Sequence, residues 1–382
     1  MATSSSHPAT VSEAAVRNAL ARVDDPEIGK PITELDMVES VRIDGADVAV
    51  GIYLTIPGCP MRNTIESNVR AVVEEIEGVG EVSVTMHVMS DEQRRALAQR
   101  LKADKADPVI PFTQDGSTTR IFAVASGKGG VGKSSMTVNL ATALQAKGLS
   151  VGILDADVYG HSIPGLMGSA DQGPTVVDEM ILPPIAHGVR HISIGQFVEG
   201  NAPVVWRGPM LHRAVSQFLT DVYWSDLDVL FLDLPPGTGD IALSVAQLLP
   251  NAELLIVTTP QAAAAEVAER AGSIAQQTHQ KVAGVIENMS AMVLDDGTTI
   301  NVFGSGGGEQ VSTSLTEILG EDIPLLGSVP LDPQLRAHGD HGTPIALSAP
   351  DSPTGKAITE IANTLMVRRD SLAGKSLNLG VK

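Results

Sequence analysis

The feature that most constrains this chain is a glycine-rich stretch, SGKGGVGKS, at residues 126–134. It fits the pattern G-x-x-x-x-G-K-[ST], in which main-chain N–H groups point at phosphate oxygens, the lysine reaches the β- and γ-phosphates, and the hydroxyl binds magnesium. The apolar run at 120–125 predicts a buried strand before it, and the apolar spacing over 135–147 predicts a helix after it. The stretch therefore predicts a P-loop, with phosphates at the positive end of a helix dipole.

A P-loop in this context implies an α/β fold, a parallel sheet with helices on both faces, that binds ATP with magnesium. We expect Lys133 to neutralise phosphate charge and Ser134 to bind the metal ion. The residues expected to contact the nucleotide phosphates are Gly127, Lys128, Gly129, Gly130, Val131, Gly132, Lys133, Ser134 and Ser135.

Two further apolar runs lead into carboxylates. The run at 151–154 is followed by Asp155 and Asp157, and the run at 227–232 ends at Asp233. P-loop sites use acidic residues at strand ends to hold the magnesium shell and to orient the attacking water. All three carboxylates are therefore candidate site residues.

The same motifs carry a resemblance to a known class. The sequence KGGVGKS at 128–134 resembles the deviant P-loop of the Mrp/MinD class of ATPases, and DLPPGTGD at 233–240 closely resembles Mrp-type proteins. The resemblance implies a homodimer in which Lys128 reaches the partner's phosphates, much as an arginine finger does in other hydrolases. It also implies that Asp157 positions the attacking water and that Asp155 belongs to the metal shell.

The base end of the site is inferred from the same resemblance. Asn288 follows the apolar run at 282–286 and resembles the family's adenine-reading asparagine. Pro330, after the run at 323–328, would pack on the base from another side. Asparagine is otherwise a common turn residue. One departure is His161, which stands where family members usually have proline.

The first hundred residues predict a separate small α+β domain. Helical spacing at 11–23 and 62–76 alternates with strand patterns at 47–56 and 81–89. The apolar positions of the strands would form one face of a sheet, and the second helix would cover that face.

The one cysteine of the chain, Cys59, lies in a turn just before the second of these helices. Helix N-termini lower the pKa of a thiol, so the position predicts a thiolate at neutral pH. An inert cysteine buried in the turn is the alternative. The sequences DPE at 25–27 and GCP at 58–60 resemble the small domain of iron–sulfur assembly factors, and this makes Cys59 a candidate cluster ligand.

One part of the family pattern is missing. Mrp-type carriers usually have Cys-x-x-Cys just after Asn-Met-Ser, so that two subunits hold a bridging cluster with four thiolates. Leu294 and Gly297 occupy those positions here, and neither residue binds iron. The family pattern resumes at 301–308, so the loss is local.

The amino-acid composition bears on the binding partners and the location of the protein. With 26 Lys and Arg against 45 Asp and Glu, the net charge of −19 argues against binding to nucleic acid or to an anionic membrane surface. The sequence shows no signal peptide and no apolar run of about 18 residues, and its last residues make a poor amphipathic anchor. We expect a cytoplasmic protein with no stable membrane anchor.

We expect a disordered tail at 1–11, the small domain at 12–105, a linker at 106–118, the ATPase at 119–366 and a flexible tail at 367–382. The resemblance implies an ATP-hydrolysing carrier that passes iron–sulfur clusters to apoproteins or works with assembly factors. The alternative is an ATP-switched dimeric scaffold or positioning ATPase without metal, because the Cys-x-x-Cys pair is absent. A small-molecule kinase is a third possibility, but the sequence shows no evident acceptor domain or lid.

Overall fold

The structure is a computed structural model, and it describes residues 11–56, 59, 61–102, 109–114, 116–157, 160–197, 208–237, 240–261, 264–294 and 296–367. Most of both predicted tails and part of the predicted linker lie outside these residues. The same is true of Thr238 and Gly239 in the loop after Asp233.

The helices, in chain order, are α1 Glu13–Leu20, α2 Arg62–Glu74, α3 Asp91–Lys102, α4 Lys133–Gln145, α5 Ile163–Leu166, α6 Gly208–Asp221, α7 Asp240–Leu248, α8 Ala264–Thr278, α9 Gly307–Leu319, α10 Pro333–Asp340, α11 Ile345–Ser348 and α12 Pro353–Met366. The strands are β1 Val38–Asp44, β2 Asp47–Leu54, β3 Val82–Val88, β4 Arg120–Ala125, β5 Val151–Asp155, β6 Thr175–Val177, β7 Met180–Leu182, β8 Ile185–Ala186, β9 Val189–Ser193, β10 Val229–Asp233, β11 Glu253–Thr258, β12 Val282–Ser290, β13 Met292–Val293, β14 Thr299–Ile300 and β15 Leu325–Pro330.

The chain folds into two compact units. We call the first the small unit; it comprises Met1–Val109 together with Gly173–Pro184 and Leu219–Ser225. The second, the large unit, comprises Ile110–Gln172, Ile185–Phe218 and Asp226–Lys382. Two short segments that follow the P-loop in the sequence thus belong to the small unit.

The large unit is built on an eight-stranded sheet in the order β15-β12-β11-β4-β10-β5-β9-β8. Its strands are parallel except at one edge, where β8 pairs antiparallel with β9. The central strands β4, β5 and β10 are buried along almost their whole length, as expected for a parallel sheet covered by helices. This architecture confirms the predicted α/β fold, with the antiparallel edge strand as an addition.

An apolar core on α4 and α12 fixes the P-loop strand and helix in place. Phe122 on β4 and Phe231 on β10 stack with ring centroids 5.5 Å apart, and both are fully buried with Met136 and Leu140 of α4. Burial of each such side chain contributes about 1.5–3 kcal/mol. The two strands and the helix that bear the site therefore pack in one apolar core.

The small unit has a three-stranded sheet in the order β1-β2-β3, with β1 antiparallel and β3 parallel to β2. Its core includes residues of the sheet and of α1 and α2, and also Val177, Met180 and Leu182 of the β6–β7 hairpin. The small α+β architecture agrees with the sequence patterns. The α3 helix and the contribution of the hairpin were not foreseen.

None of the helices in the described part of the chain has both the length and the apolar character needed to cross a membrane.

Candidate nucleotide-binding site

The P-loop connects β4 to α4, as its sequence predicts. Gly130 and Gly132 both have positive φ, of 77° and 79°, which favours glycine. Gly132 precedes α4 and has no side chain to cap it, so within the described part of the chain the first N–H groups of the helix remain for a ligand. A Cβ at Gly130 would meet open space, whereas one at Gly132 would collide with Asn288. The loop therefore has one open side and one packed side.

Lys133 and Asp233 form a buried ion pair at the foot of the loop. The Lys133 Nζ lies 2.6 Å from Asp233 Oδ2, and the two side chains are 6% and 0% exposed. The hydroxyl of Ser134 donates to the same oxygen at 2.5 Å. The hydroxyl of Thr137 donates to Asp233 Oδ1 at 2.8 Å. Both oxygens of this carboxylate thus have donors, as burial of a charge requires.

Asp155 lies next to Asp233 on the neighbouring strand. The two residues are in register between β5 and β10. Burial, together with the negative charge of Asp233, raises the pKa of Asp155 well above its ordinary value. Its Oδ2 accepts from the hydroxyl of Ser193 at 2.9 Å and its Oδ1 from the N–H of Asp157 at 3.1 Å. The pair places two carboxylates at the carboxyl edge of the sheet, where ligands bind in open α/β folds.

Asp157 is buried, and the N–H of Gly160 donates to its Oδ1 at 3.0 Å. Val158 and Tyr159 between them lie outside the described residues. His161 is exposed, and its ring lies against Gly195, where an added Cβ would overlap it.

Lys128 lies beside the loop after β11. Its Nζ donates to Oε1 of Gln261 within the same chain. Arg270 on α8 donates to the carbonyl oxygen of Gly127 at 2.9 Å, and a Cβ at Gly127 would overlap Val267 of the same helix. Helix α8 therefore supports the first turn of the P-loop.

The base end of the site contains an orphaned polar atom. Asn288 is 2% exposed, and its Nδ2 donates to the carbonyl oxygen of Val131 at 2.9 Å. Its Oδ1 has no hydrogen-bond partner among the residues that the structure describes. Such a buried acceptor costs free energy unless a ligand satisfies it. Pro330 pairs in register with Ser290, two residues beyond Asn288, so both predicted base contacts lie on neighbouring strands.

These residues fit ATP and magnesium. The P-loop offers backbone N–H groups and a lysine for phosphates, and Asn288 offers a free acceptor for an amino group such as that of adenine. Magnesium takes oxygen ligands, and Ser134, Asp155 and Asp233 provide hydroxyl and carboxylate oxygens at one edge of the sheet. Ser135 lies in the first turn of α4, where its carbonyl oxygen accepts from Asn139.

The prediction of a thiolate at Cys59 is wrong. Cys59 is 6% exposed and belongs to the small unit's core. Burial, and the negative charges of Glu27 and Asp25, raise the pKa of its thiol to about 11. The N–H of Met61, close to the start of α2, lowers this pKa, but the effect of burial is larger. Desolvation therefore dominates the helix-terminus effect here.

Two buried carboxylates accompany this thiol. Asp25 accepts from the N–H groups of Glu27 and Ile28, both at 2.9 Å. Glu27 accepts from the hydroxyl of Thr175 at 3.2 Å. Burial, with the charge of Asp25 as a second cause, raises the pKa of Glu27 to about 7. Among the described residues, no group of three or more His, Cys, Asp or Glu side chains is arranged to hold a metal ion.

The positions of the missing cysteines lie on a small hairpin. Strands β13 and β14 pair antiparallel, and the N–H of Gly297 donates to the carbonyl oxygen of Leu294 at 2.9 Å. Leu294 and its neighbours Val293 and Ile300 are exposed. The hairpin thus presents an apolar surface where the family pattern has thiols.

Sequence reasoning missed several side chains that position the site. Thr137 lies one helical turn after Lys133, and this spacing could have revealed it. Ser193 ends β9, a strand that the sequence pattern did not predict. Gln261 lies three residues after the end of β11, and a polar residue shortly after a predicted strand was an available signal.

Comparison with known proteins places this geometry in a family. Residues 117–366 match the model of the NUBPL iron-transfer P-loop NTPase family. The chain belongs to this family of iron-transfer P-loop NTPases. Residues 13–84 also match an iron–sulfur cluster assembly protein family, so the resemblance of both halves is confirmed.

Relatives of this P-loop NTPase span nearly its whole length. The chain is 60% identical over 368 residues to the iron–sulfur cluster carrier protein of Mycobacterium leprae, covering 96% of each. It is 40% identical to that of Synechocystis sp., covering 92% of this chain and 96% of the relative. A nucleotide-binding protein from Archaeoglobus fulgidus, solved in complex with ADP, is 33% identical, covers 66% of this chain and 91% of its own, and superposes with a TM-score of 0.51.

Proposed function

We propose that this chain is an ATP-hydrolysing iron–sulfur cluster carrier that delivers clusters to apoproteins. The observation that carries the ATP half is the buried network of Lys133, Ser134, Thr137 and Asp233 at the start of an uncapped helix. The carrier half is supported by the family and by relatives named as iron–sulfur cluster carrier proteins.

Each residue of the site would have a distinct role in binding and hydrolysing ATP. On ATP binding, Lys133 exchanges its contact with Asp233 for the β- and γ-phosphates, and the N–H groups of Gly132 and Lys133 face phosphate oxygens. Asn288 Oδ1 accepts from the adenine amino group. Magnesium, held through Ser134, Asp155 and Asp233, would neutralise phosphate charge when bound. Asp157 orients the attacking water.

Hydrolysis requires a second copy of the chain in this proposal. Lys128 leaves Gln261 and contacts the phosphates of the partner subunit. Lys128→Ala should retain ATP binding and lose hydrolysis, and mixing it with Asp157→Ala protein should restore part of the rate. Absence of rescue in mixtures shown to contain mixed dimers would contradict the arrangement in trans.

The cluster is cargo, and Cys59 is the one thiol that the chain can offer to it. Clusters are ordinarily held by four thiolates, or by fewer when histidine substitutes. Two Cys59 residues of a homodimer would therefore bind a cluster weakly, with external thiols or a client protein completing the ligand set. Because the thiol is buried and protonated at neutral pH, loading requires the small unit to open around it.

Anaerobic reconstitution of wild type and Cys59→Ser, followed by iron and sulfide analysis, tests the carrier function. We expect a labile cluster in wild type and loss of most of it in the variant. Cys59→Ala, which changes volume differently, should behave like Cys59→Ser. Equal cluster content in all three proteins would remove Cys59 from the proposal.

A metal-free ATP-switched scaffold is the second candidate, and the β13–β14 hairpin favours it. Leu294 and Gly297 replace the thiols of the family pattern, and the side chains of Val293, Leu294 and Ile300 are exposed. If reconstitution gives no cluster while calorimetry shows magnesium-dependent ATP binding, the scaffold is the better description.

A further inference from the structure

The segment between Asp157 and Ser193 leaves the nucleotide site, contributes to the small unit and returns to the nucleotide site. At one end the N–H of Asp157 donates to Asp155 Oδ1 at 3.1 Å. At the other end the hydroxyl of Ser193 donates to Asp155 Oδ2 at 2.9 Å. Both ends of the segment are thus hydrogen-bonded to the two oxygens of one carboxylate.

The middle of the segment is part of the small unit's core. Val177, Met180 and Leu182 of the β6–β7 hairpin are buried there in the same apolar cluster as Cys59. The hairpin is secured further by Tyr223, whose N–H donates to the carbonyl oxygen of Ile181 at 2.8 Å. The hairpin is therefore an integral part of the environment of Cys59.

A polar contact links the hairpin to the carboxylates beside that thiol. Thr175, the first residue of β6, is buried and donates its hydroxyl to Glu27. The charge of Glu27 in turn acts on the Cys59 thiol. Any displacement of Thr175 changes the support of Glu27 and so the surroundings of Cys59.

Gln196 forms hydrogen bonds both with Ser193, at the end of β9, and with Gln172, earlier in the segment. Its Oε1 accepts from the N–H of Ser193 at 2.9 Å, and its Nε2 donates to the carbonyl oxygen of Gln172 at 3.1 Å. Gln172 immediately precedes the part of the segment that belongs to the small unit. A shift of Ser193 is thus passed to the residue that leads into the hairpin.

We propose that the 157–193 segment couples occupancy of the nucleotide site to the opening of the Cys59 site, with Gln196 and Thr175 as positioning residues. The coupling rests on the proposed function for its input, in which Asp155 would help to hold a magnesium nucleotide. The hydrogen bonds that Asp155 accepts from the N–H of Asp157 and the hydroxyl of Ser193 would then change. The two states of the segment then have different affinities for nucleotide, as coupling between sites requires.

The chain's single thiol makes the coupling measurable. Because Cys59 is 6% exposed, its rate of alkylation by iodoacetamide reports how often the site opens. We expect the full-length protein to alkylate at rates that differ by about fivefold or more with and without Mg-ATP, a typical coupling between sites. Protein already alkylated at Cys59 is held in the open state, so it should bind Mg-ATP more tightly if Mg-ATP speeds alkylation and more weakly if Mg-ATP slows it.

Substitutions test whether Thr175 and Gln196 carry the coupling between the two sites. Thr175→Val and Gln196→Ala should bind Mg-ATP normally in calorimetry but show less than about twofold nucleotide dependence of alkylation. Thr175→Ser, which keeps the hydroxyl, and Val176→Thr, at the exposed neighbouring position, should retain the full dependence. Glu27→Gln keeps an acceptor for Thr175 and should speed alkylation in every nucleotide state without changing the ratio.

A purely structural role for Thr175 would change all the rates equally and leave the ratio intact. Equal alkylation rates with and without nucleotide, in wild type that binds Mg-ATP, would overturn the coupling alone. Full nucleotide dependence in both Thr175→Val and Gln196→Ala would overturn the route through these two residues. Failure of wild type to bind Mg-ATP in calorimetry would overturn the proposed function and the coupling together.

Discussion

The large unit buries Asp155 and Asp233 with the ammonium group of Lys133 beside them, whereas the small unit buries Asp25 and Glu27 against backbone N–H groups, a hydroxyl and each other. In the first pair, a cation and two hydroxyl groups hold Asp233. In the second pair, Glu27 faces a like charge, and its pKa rises to about 7.

The difference shows two uses of buried acid groups. A carboxylate with a cation and convergent donors is arranged to receive a further cation and phosphates. A carboxylate with neutral donors and an acidic neighbour instead retains a proton near neutral pH. We therefore expect Asp233 to respond mainly to ligands and Glu27 mainly to pH. Asp155 shares the second property, because burial and the charge of Asp233 raise its pKa.

Lys133→Ala should have the largest effect. Its removal leaves Asp233 buried without its cation, which costs about 3–5 kcal/mol, and it should abolish ATP binding. The double variant Lys133→Ala/Asp233→Asn should recover most of the stability but no ATP binding, while Lys147→Ala, at an exposed position just beyond α4, should match wild type. Calorimetry and chemical denaturation measure both effects; normal ATP affinity in Lys133→Ala would contradict the site.

Glu27→Gln should stabilise the protein in a pH-dependent way. The unfolded carboxyl has its ordinary pKa of 4.5 and the folded one about 7, so wild type loses stability as pH rises through this window. The gain of the variant should be absent below about pH 4.5 and reach up to about 3 kcal/mol above pH 7. Melting temperatures of both proteins at pH 4.5 and 8 test this; a gain of equal size at both pH values would contradict it.

Thr137→Val should have the smallest of the three effects. Valine has a similar shape but removes the donor to Asp233 Oδ1, at a cost of about 2 kcal/mol because the acceptor is charged. Thr142→Val on the same helix is the matched control, since its hydroxyl donates to the carbonyl oxygens of Val138 and Asn139. Similar losses in both variants, measured by chemical denaturation, would show that Asp233 does not depend on Thr137.

The parts predicted well from sequence are those determined locally. The strand at 120–125 and the P-loop helix were confirmed because hydrophobic periodicity and glycine spacing are local signals. Burial of Cys59 was not local: the acidic residues and the hairpin that surround it come from distant parts of the chain. The expectation of a lowered thiol pKa took account only of the neighbouring helix terminus, whereas the burial that raises this pKa comes from distant residues.

The hairpin at 175–182 also has a consequence for synthesis of the chain. The first hundred residues leave the ribosome long before residues 173–184 and 219–225, which complete their core, are synthesised. At about 5–20 residues per second, this delay is on the order of ten seconds. During that interval the nascent small unit exposes the apolar surface that Val177, Met180 and Leu182 later cover. A chaperone that binds nascent apolar chain would have an opportunity to act there.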